Sequence, residues 1–211
     1  MLPNEDELVK SINWGKVNGL LPVIVQDASS CEVLMLGYMD ESALRESLRQ
    51  GRAVFYSRSK GRLWLKGEES GHYLNIVEMG LDCDKDTLLL LARPVGATCH
   101  TGEISCFEGV SKNGDFVFLS RLERLINSRK NGDASKSYTA ELFAKGTKRI
   151  AQKVGEEGVE TALAAVAGDE SELLNESADL LFHLCVLLSS KNVNLSEVMG
   201  VLKERNARKD K

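Results

Sequence analysis

The chain has 211 residues, 43% hydrophobic and 27% charged, enough for one large domain or two small ones. A net charge of −4 gives no reason to expect nucleic acid as a partner. Glu5, Asp6 and Glu7 stand where a secretory signal would carry its basic segment, and Leu88 to Ala92 and Leu180 to Leu188 fall well short of the roughly 18 apolar residues of a membrane span. With neither export nor a membrane span expected, the five cysteines are read as reduced thiols or metal ligands in a cytoplasmic chain.

Up to about Phe107 the pattern predicts short strands: Pro22–Gln26, Val33–Tyr38, Ala53–Ser57, Leu63–Lys66, Tyr73–Met79 and Thr87–Ala92. A single helix interrupts them, Glu41–Gln50, with Asp40 suited to its N-cap and Gly51 to its C-terminal stop. Gly61 is expected to turn the chain between two strands. The stretch Glu108–Asp115 is polar, and after it the strand pattern gives way to helical periodicity. Helices are predicted over Phe116–Arg129, Tyr138–Gly168, Glu170–Ser190 and Leu195–Arg208. The change of texture divides the chain into a mainly-β domain, 1–115, and an all-α domain, 116–211, an α+β organisation.

Between Asp82 and Cys106 the chain concentrates metal-ligating side chains: Asp82-Cys83-Asp84-Lys85-Asp86, then Cys99-His100, then Cys106. On an extended segment Asp82, Asp84 and Asp86 would point the same way and share a hard cation. Cys83 would point to the other face, where with Cys99 and Cys106 it offers thiolates to a zinc-like ion. No C-x₂₋₄-C pair is present, so a zinc finger or ribbon is disfavoured. Three protein ligands with a fourth position left to water is the catalytic arrangement, and His100, beside a ligand, is a candidate general base or proton shuttle, or else a histidine held by local hydrogen bonds. Cys31 and Cys185 lie far from the cluster and are expected in the core.

The helical half has its own acids, Glu156, Glu157 and Glu160, followed on the next helix by Glu176 and Asp179. Like charges three and four residues apart cost a few tenths of a kcal/mol per pair, and Gly155 and Gly158 weaken the helix by about 1 kcal/mol each. On the first helix the acids fit a solvated face opposite Val159, Ala162, Leu163 and Val166. The second helix is apolar on nearly every side of Asp179, as a buried helix would be, so its carboxylates need partners or metal ions. Two facing helices offering carboxylates inward would hold magnesium. Basic residues at Arg58, Lys60, Arg62 and Lys66, and at Lys145, Lys148, Arg149 and Lys153, could hold phosphates or form solvated faces, and Lys153 could simply pair with Glu157 one turn on.

Phe55-Tyr56-Ser57-Arg58, Leu63-Trp64, Lys66-Gly67-Glu68, Ser70-Gly71, Asp82 to Asp86, Cys99-His100-Thr101-Gly102 and Cys106-Phe107 together resemble phosphoribosyl-AMP cyclohydrolase. Ser137-Tyr138-Thr139, the run from Gly146 to Glu157, Glu160-Thr161, Glu176 and Asp179 resemble phosphoribosyl-ATP pyrophosphohydrolase. The combination resembles the bifunctional enzymes of histidine biosynthesis over nearly the whole chain.

That resemblance implies a helical domain, similar to the all-α nucleotide pyrophosphohydrolases, that hydrolyses phosphoribosyl-ATP to phosphoribosyl-AMP and pyrophosphate. It implies an N-terminal domain that opens the adenine ring of phosphoribosyl-AMP at N1–C6 with zinc-activated water. Cys83, Cys99 and Cys106 would then be zinc ligands, Asp82, Asp84 and Asp86 magnesium ligands, and His100 the proton shuttle. Glu156, Glu157, Glu160, Glu176 and Asp179 would hold magnesium in the helical domain. Arg58, Arg62, Trp64, Lys66, Glu68, Ser70, Lys148 and Lys153 would contact substrate. The resemblance also implies a homodimer whose zinc site takes Cys83 from one subunit and Cys99 and Cys106 from the other. A zinc nucleobase deaminase is disfavoured because H-x-E and P-C-x-x-C are missing. A structural zinc module presenting a helical bundle to partners is the non-enzymatic alternative.

Overall fold

In the computed structural model, residues 4–111 and 114–209 are described, and the chain divides into two compact units, Met1–Phe118 and Leu119–Lys211. Of the segments read from sequence, residues 1–3 before the first helix, 112–113 in the polar stretch and 210–211 at the end of the helical domain lie outside the described residues.

The first unit is built on a four-stranded sheet of order β2-β1-β6-β5, formed by β1 (Leu21–Asp27), β2 (Val33–Met39), β5 (Leu74–Leu81) and β6 (Leu88–Pro94). Strand β1 runs antiparallel to β2 and parallel to β6, and β5 runs antiparallel to β6. Alternation does the sorting: Leu21, Val23 and Val25 on β1 and Leu88, Leu90 and Ala92 on β6 are buried. A separate hairpin, β3 (Val54–Ser57) and β4 (Arg62–Leu65), turns at Gly61, as expected. Helix α1 (Glu5–Ser11), missed in the sequence, is capped by the Asn4 side chain and packs against α2 (Glu41–Gln50). The limits of α2 are those predicted, because the Asp40 carboxylate accepts from Ala43 N and Gly51 ends the helix.

Two expectations for this unit need correction. Asp82 to Asp86 is a turn between β5 and β6, not an extended strand: Asp82 N donates to the Thr87 carbonyl at 3.0 Å, and Lys85 adopts φ +61°. Cys31 is exposed at φ +59° in the β1–β2 connection, while Cys185 is buried. The start of the polar stretch is also more ordered than composition suggested, with α3 at Glu108–Ser111.

In the second unit lie most of α4 (Asp115–Ser128) and all of α5 (Tyr138–Ala167), α6 (Glu170–Ser190) and α7 (Leu195–Lys209). Helix α5 is broken at Gly146, whose φ of +79° and ψ of 171° lie outside helical geometry and suit a residue without Cβ. The core is small: Ile126, Leu142, Ile150, Cys185 and Val186.

Of the two arrangements open to the α5 acids, a solvated face or carboxylates offered inward, the structure turns Glu157 inward. Glu157 is 3% exposed, whereas Val159, Leu163 and Val166 are 60%, 62% and 89% exposed, so α5 turns its central acid inward and an apolar face outward. Nor is α6 buried all round, since Leu174 and Leu181 are exposed. The cause is the packing of α5 along α6, which encloses Glu157, half-buries Glu176 and leaves Asp179 at the exposed edge of their shared seam. Among the described residues α6 alone is long and apolar enough to cross a membrane, by length and composition only.

Ser47 ties the first unit together. Its buried hydroxyl accepts from Val54 N at 2.9 Å and lies 2.8 Å from the Ala43 carbonyl and 3.0 Å from that of Val54, joining α2 to β3. Ser47→Ala leaves the Val54 N–H without this acceptor, and a loss of about 1–3 kcal/mol in unfolding free energy is expected from urea titration of the full chain.

Candidate active sites

In the first unit a cavity of about 510 Å³ collects residues from β4, the turn after it and the 97–106 loop. Trp64, Lys66, Glu68, Ser70, Cys99, His100 and Cys106 from the sequence reading all line it, together with Lys60 and His72. Trp64 packs on Phe55, with ring centroids 5.9 Å apart. Gly67 allows the turn to close on His72, for a Cβ there would meet the His72 carbonyl carbon at 2.6 Å. Lys66 is 7% exposed and its Nζ donates to that carbonyl oxygen at 3.4 Å; burial pushes its pKa down, opposed by the nearby thiols of Cys106 and Cys99. Arg58 and Arg62 stand outside the lining. Arg58 stacks its guanidinium 3.9 Å above the Tyr38 ring, and Arg62 pairs with Glu68 at 2.7 Å.

Backbone ties place the thiols. Cys106 N donates to the Leu34 carbonyl at 2.8 Å and Ser105 Oγ to that of Val33 at 2.7 Å, pinning this segment to β2. Cys99 begins a tight turn in which Gly102 N donates to its carbonyl at 3.2 Å. The two thiols differ in acidity: Thr101 Oγ1, donating to Cys99 Sγ at 3.1 Å, lowers the Cys99 pKa, while burial raises that of Cys106. His100 Nδ1 is 3.8 Å from the Cys99 sulfur. Among the described residues, Cys83, Cys99 and Cys106 do not come together as a three-ligand group.

The Asp82–Asp86 turn gathers its carboxylates by a route different from strand alternation. Asp82 Oδ1 accepts from Asp86 N at 3.0 Å and Thr87 N at 3.2 Å, curling the loop around its own first residue. Oxygens of Asp82, Asp84 and Asp86 thereby lie within 4.8 Å of one another. Lys16, which no local sequence signal connects to this loop, donates to Asp84 and, at 2.5 Å, to Asp86, and its hydrogen bond holds the Asp86 pKa down.

The second unit brings together Glu157 of α5 and Glu176 and Asp179 of α6, again with oxygens within 4.8 Å of one another. Lys153 Nζ contacts Glu157 Oε1 at 2.5 Å and Glu156 Oε2 at 3.0 Å. Glu156 also receives Gln152 at 2.8 Å and is turned toward Arg149, so it and the exposed Glu160 stand outside the trio. Lys148 is exposed. Glu157 is held low, first by its bond from Lys153. Glu176 is pushed up to about 7, first by desolvation and then by its hydrogen bond with Glu157 and the neighbouring acids, and its buried Oε2 has no hydrogen-bond partner among the described residues.

An orphaned carboxylate oxygen among clustered acids is the environment a hard cation would satisfy. His183, visible in sequence only as a histidine within an apolar run, lies against this trio, buried at 4% exposure.

Comparison with known proteins agrees with both halves of this picture. Residues 35–108 match the phosphoribosyl-AMP cyclohydrolase family, and residues 119–206 match the phosphoribosyl-ATP pyrophosphohydrolase family. The chain is 64% identical to the histidine biosynthesis bifunctional protein HisIE of Campylobacter jejuni over 205 residues, covering 97% of this chain and 99% of that protein. Its identity to the proteins of the same name is 59% in Pasteurella multocida, over 93% of this chain and 99% of the relative, and 54% in Vibrio cholerae, over 94% and 95%.

Glu176 also sets a pH dependence. In metal-free protein its raised pKa favours the folded state below its ordinary value near 4.5, and that contribution is lost as pH rises toward about 7. Full-length protein in chelator should therefore lose resistance to urea between pH 4.5 and 7, and Glu176→Gln should flatten that part of the profile.

High identity along almost the entire length, with a cyclohydrolase match over the strand-rich unit and a pyrophosphohydrolase match over the helical one, places the chain in the family of bifunctional histidine-biosynthesis enzymes.

Proposed function

We propose that residues 116–211 hydrolyse phosphoribosyl-ATP to phosphoribosyl-AMP and pyrophosphate, and that residues 1–115 then open the adenine ring of phosphoribosyl-AMP between N1 and C6. The observation that carries this division is the separate convergence of two chemically different sites: thiols and a histidine in a cavity of the first unit, and a carboxylate trio between two helices of the second.

For ring opening, Cys99 and Cys106 are zinc ligands and Cys83 of a second copy is the third. Zinc bound there would lower the pKa of a water molecule toward neutrality, supplying a nucleophile for C6. The chain's own part is to orient and to move protons. Trp64 offers an aromatic face to the purine, and Lys66 with Ser70 offers donors to the ribotide phosphates. Glu68 fixes Arg62 at the rim. Arg58, held over Tyr38, remains at the substrate's approach. His100, beside Cys99, takes one proton from water and returns it to N1 as the N1–C6 bond breaks, while the second passes from the attacking oxygen to the exocyclic nitrogen on C6, leaving a carboxamide. Asp82, Asp84 and Asp86 hold magnesium; their mutual proximity and the ammonium of Lys16 among them support a cation there.

In the helical domain Glu157, Glu176 and Asp179 hold magnesium, with Glu156 and Glu160 completing the set toward solvent. Magnesium would neutralise the polyphosphate and favour attack of water on it. Lys148 and Lys153 supply positive charge to the phosphates, Lys153 exchanging carboxylates for phosphate as substrate enters.

Homodimerisation is supported from two sides. Two thiols of one chain do not complete a zinc site, and Val159, Leu163, Val166, Leu174 and Leu181 leave an apolar surface on α5 and α6 that a second copy would cover. A cytoplasmic location is supported by free thiols and by an α6 that contributes carboxylates to a site rather than a continuous apolar surface.

Pyrophosphate release from phosphoribosyl-ATP and ring opening of phosphoribosyl-AMP supplied directly, followed as separate reactions, test the division. Cys99→Ala should reduce ring opening by more than about 100-fold and leave pyrophosphate release intact, and Glu157→Gln should do the reverse, since losing a ligand exceeds the roughly 10–100-fold cost of losing a ligand's hydrogen-bond partner. Loss of both activities in either folded variant would contradict two independent sites.

A further inference from the structure

Tyr138 and His183 have no part in the chemistry above, yet they form a continuous arm ending at the acid trio. His183 Nδ1 lies 2.9 Å from the carbonyl oxygen of Asp179. A carbonyl only accepts, so Nδ1 carries the proton, and in the neutral ring Nε2 presents its lone pair. That lone pair meets the Tyr138 hydroxyl at 3.1 Å, making the tyrosine the donor. The imidazole is also held by ring contacts, edge-on to Phe182 at 5.2 Å and to Tyr138 at 6.1 Å. Its orientation is thus set by Tyr138, and the edge bearing Nδ1–H faces Glu157 Oε1 at 3.7 Å.

Glu157 is a long side chain that needs such a neighbour. Lys153, one turn earlier on the same helix, holds it to α5. Across the seam Glu157 otherwise meets carboxylates, Glu176 and Asp179, which share its charge. His183 is the group of α6 that offers this carboxylate a proton-bearing edge, and the same nitrogen grips the backbone of Asp179, another member of the trio. Tyr138 lies in the part of α5 before the break at Gly146, so the hydroxyl connects a helical segment outside the acid cluster to the imidazole that faces Glu157.

We infer that Tyr138 and His183 are positioning residues for the cation site of the helical unit, with the Tyr138 hydroxyl and the Asp179 carbonyl locking the His183 ring so that its Nδ1–H edge orients Glu157 for a divalent cation. This rests on the magnesium reading of the trio given above. Groups that hydrogen-bond behind metal ligands orient them, and their loss typically costs about 10–100-fold in metal affinity or activity.

The test uses full-length, zinc-loaded protein carrying Asp82→Asn, Asp84→Asn and Asp86→Asn, so that Mn²⁺ bound and counted by electron paramagnetic resonance reports on the helical unit. Tyr138→Phe, which removes one oxygen from a side chain that is half exposed, should weaken Mn²⁺ binding on the order of tenfold. The magnesium concentration for half-maximal pyrophosphate release should rise by a similar factor, with KM for phosphoribosyl-ATP at saturating magnesium and the unfolding midpoint of metal-free protein unchanged. His183→Asn, whose amide can replace the Nδ1–H donor, should retain more affinity than His183→Leu. Wild-type Mn²⁺ affinity in Tyr138→Phe and His183→Asn, or losses that only follow a lowered unfolding midpoint, would overturn the inference. Glu157→Gln separates the two levels: if Mn²⁺ binding survives it, the magnesium reading falls and this inference with it; if Glu157→Gln abolishes binding and Tyr138→Phe does not weaken it, the inference alone fails.

Discussion

Crowding of like charge is the constraint on which both sites depend. Each unit brings three carboxylates close enough for their oxygens to share one ion, and each places a lysine against them: Lys16 on Asp84 and Asp86, and Lys153 on Glu156 and Glu157. The two solutions differ in how much water remains. The Asp82–Asp86 turn lies at the surface, where solvent screens its charges and backbone N–H groups of the same loop neutralise part of them. Between α5 and α6 Glu157 is almost fully enclosed and one oxygen of Glu176 is enclosed without a partner, so the helical seam carries the larger unsatisfied demand for a cation.

Folding and function are coupled through these demands. The strand-rich unit has an extensive core, and its cavity and its carboxylate cluster lie on loops: the turn after β4 and the 97–106 segment pinned to β2 for the one, the β5–β6 turn for the other. The helical unit has a small core, and its acids sit in the seam that joins its two longest helices. Removing charge from that seam should therefore affect the fold more than removing a thiol from the cavity. The apolar faces that α5 and α6 leave uncovered follow from the same arrangement, because a bundle whose interior holds carboxylates has less interior left for leucine and valine.

Much of this organisation was legible in the residues. Asp40 and Gly51 marked the ends of α2 because capping is local chemistry, and the change from period two to period 3.6 after the first hundred residues separated the strand-rich region from the helical one. The acids of the helical half stood out because their cost to an isolated helix is calculable, and three of the five, Glu157, Glu176 and Asp179, converge. What escaped was long-range or conformational. Asp82 to Asp86 looks extended when only alternation is considered; the structure gathers its acids through a turn in which Lys85 takes positive φ and Asp82 caps the loop. Lys16 is 68 residues from Asp84 and carries no local sign of that pairing. The break in α5 was hidden because a single glycine is tolerated within a helix, and only its backbone angles reveal the discontinuity. The burial of α6 was overestimated for a related reason: periodicity identifies apolar positions but does not say that they meet the core of their own chain, and Leu174 and Leu181 are exposed.

Locating the metal ions would test the central claim most directly. Anomalous diffraction at the zinc and manganese edges, from crystals of protein loaded with both ions, should place zinc on Cys99 and Cys106 of one chain and Cys83 of another, and manganese at Asp82, Asp84 and Asp86 and at Glu157, Glu176 and Asp179. Zinc bound by ligands of a single chain, or manganese absent from the α5–α6 seam, would contradict the account.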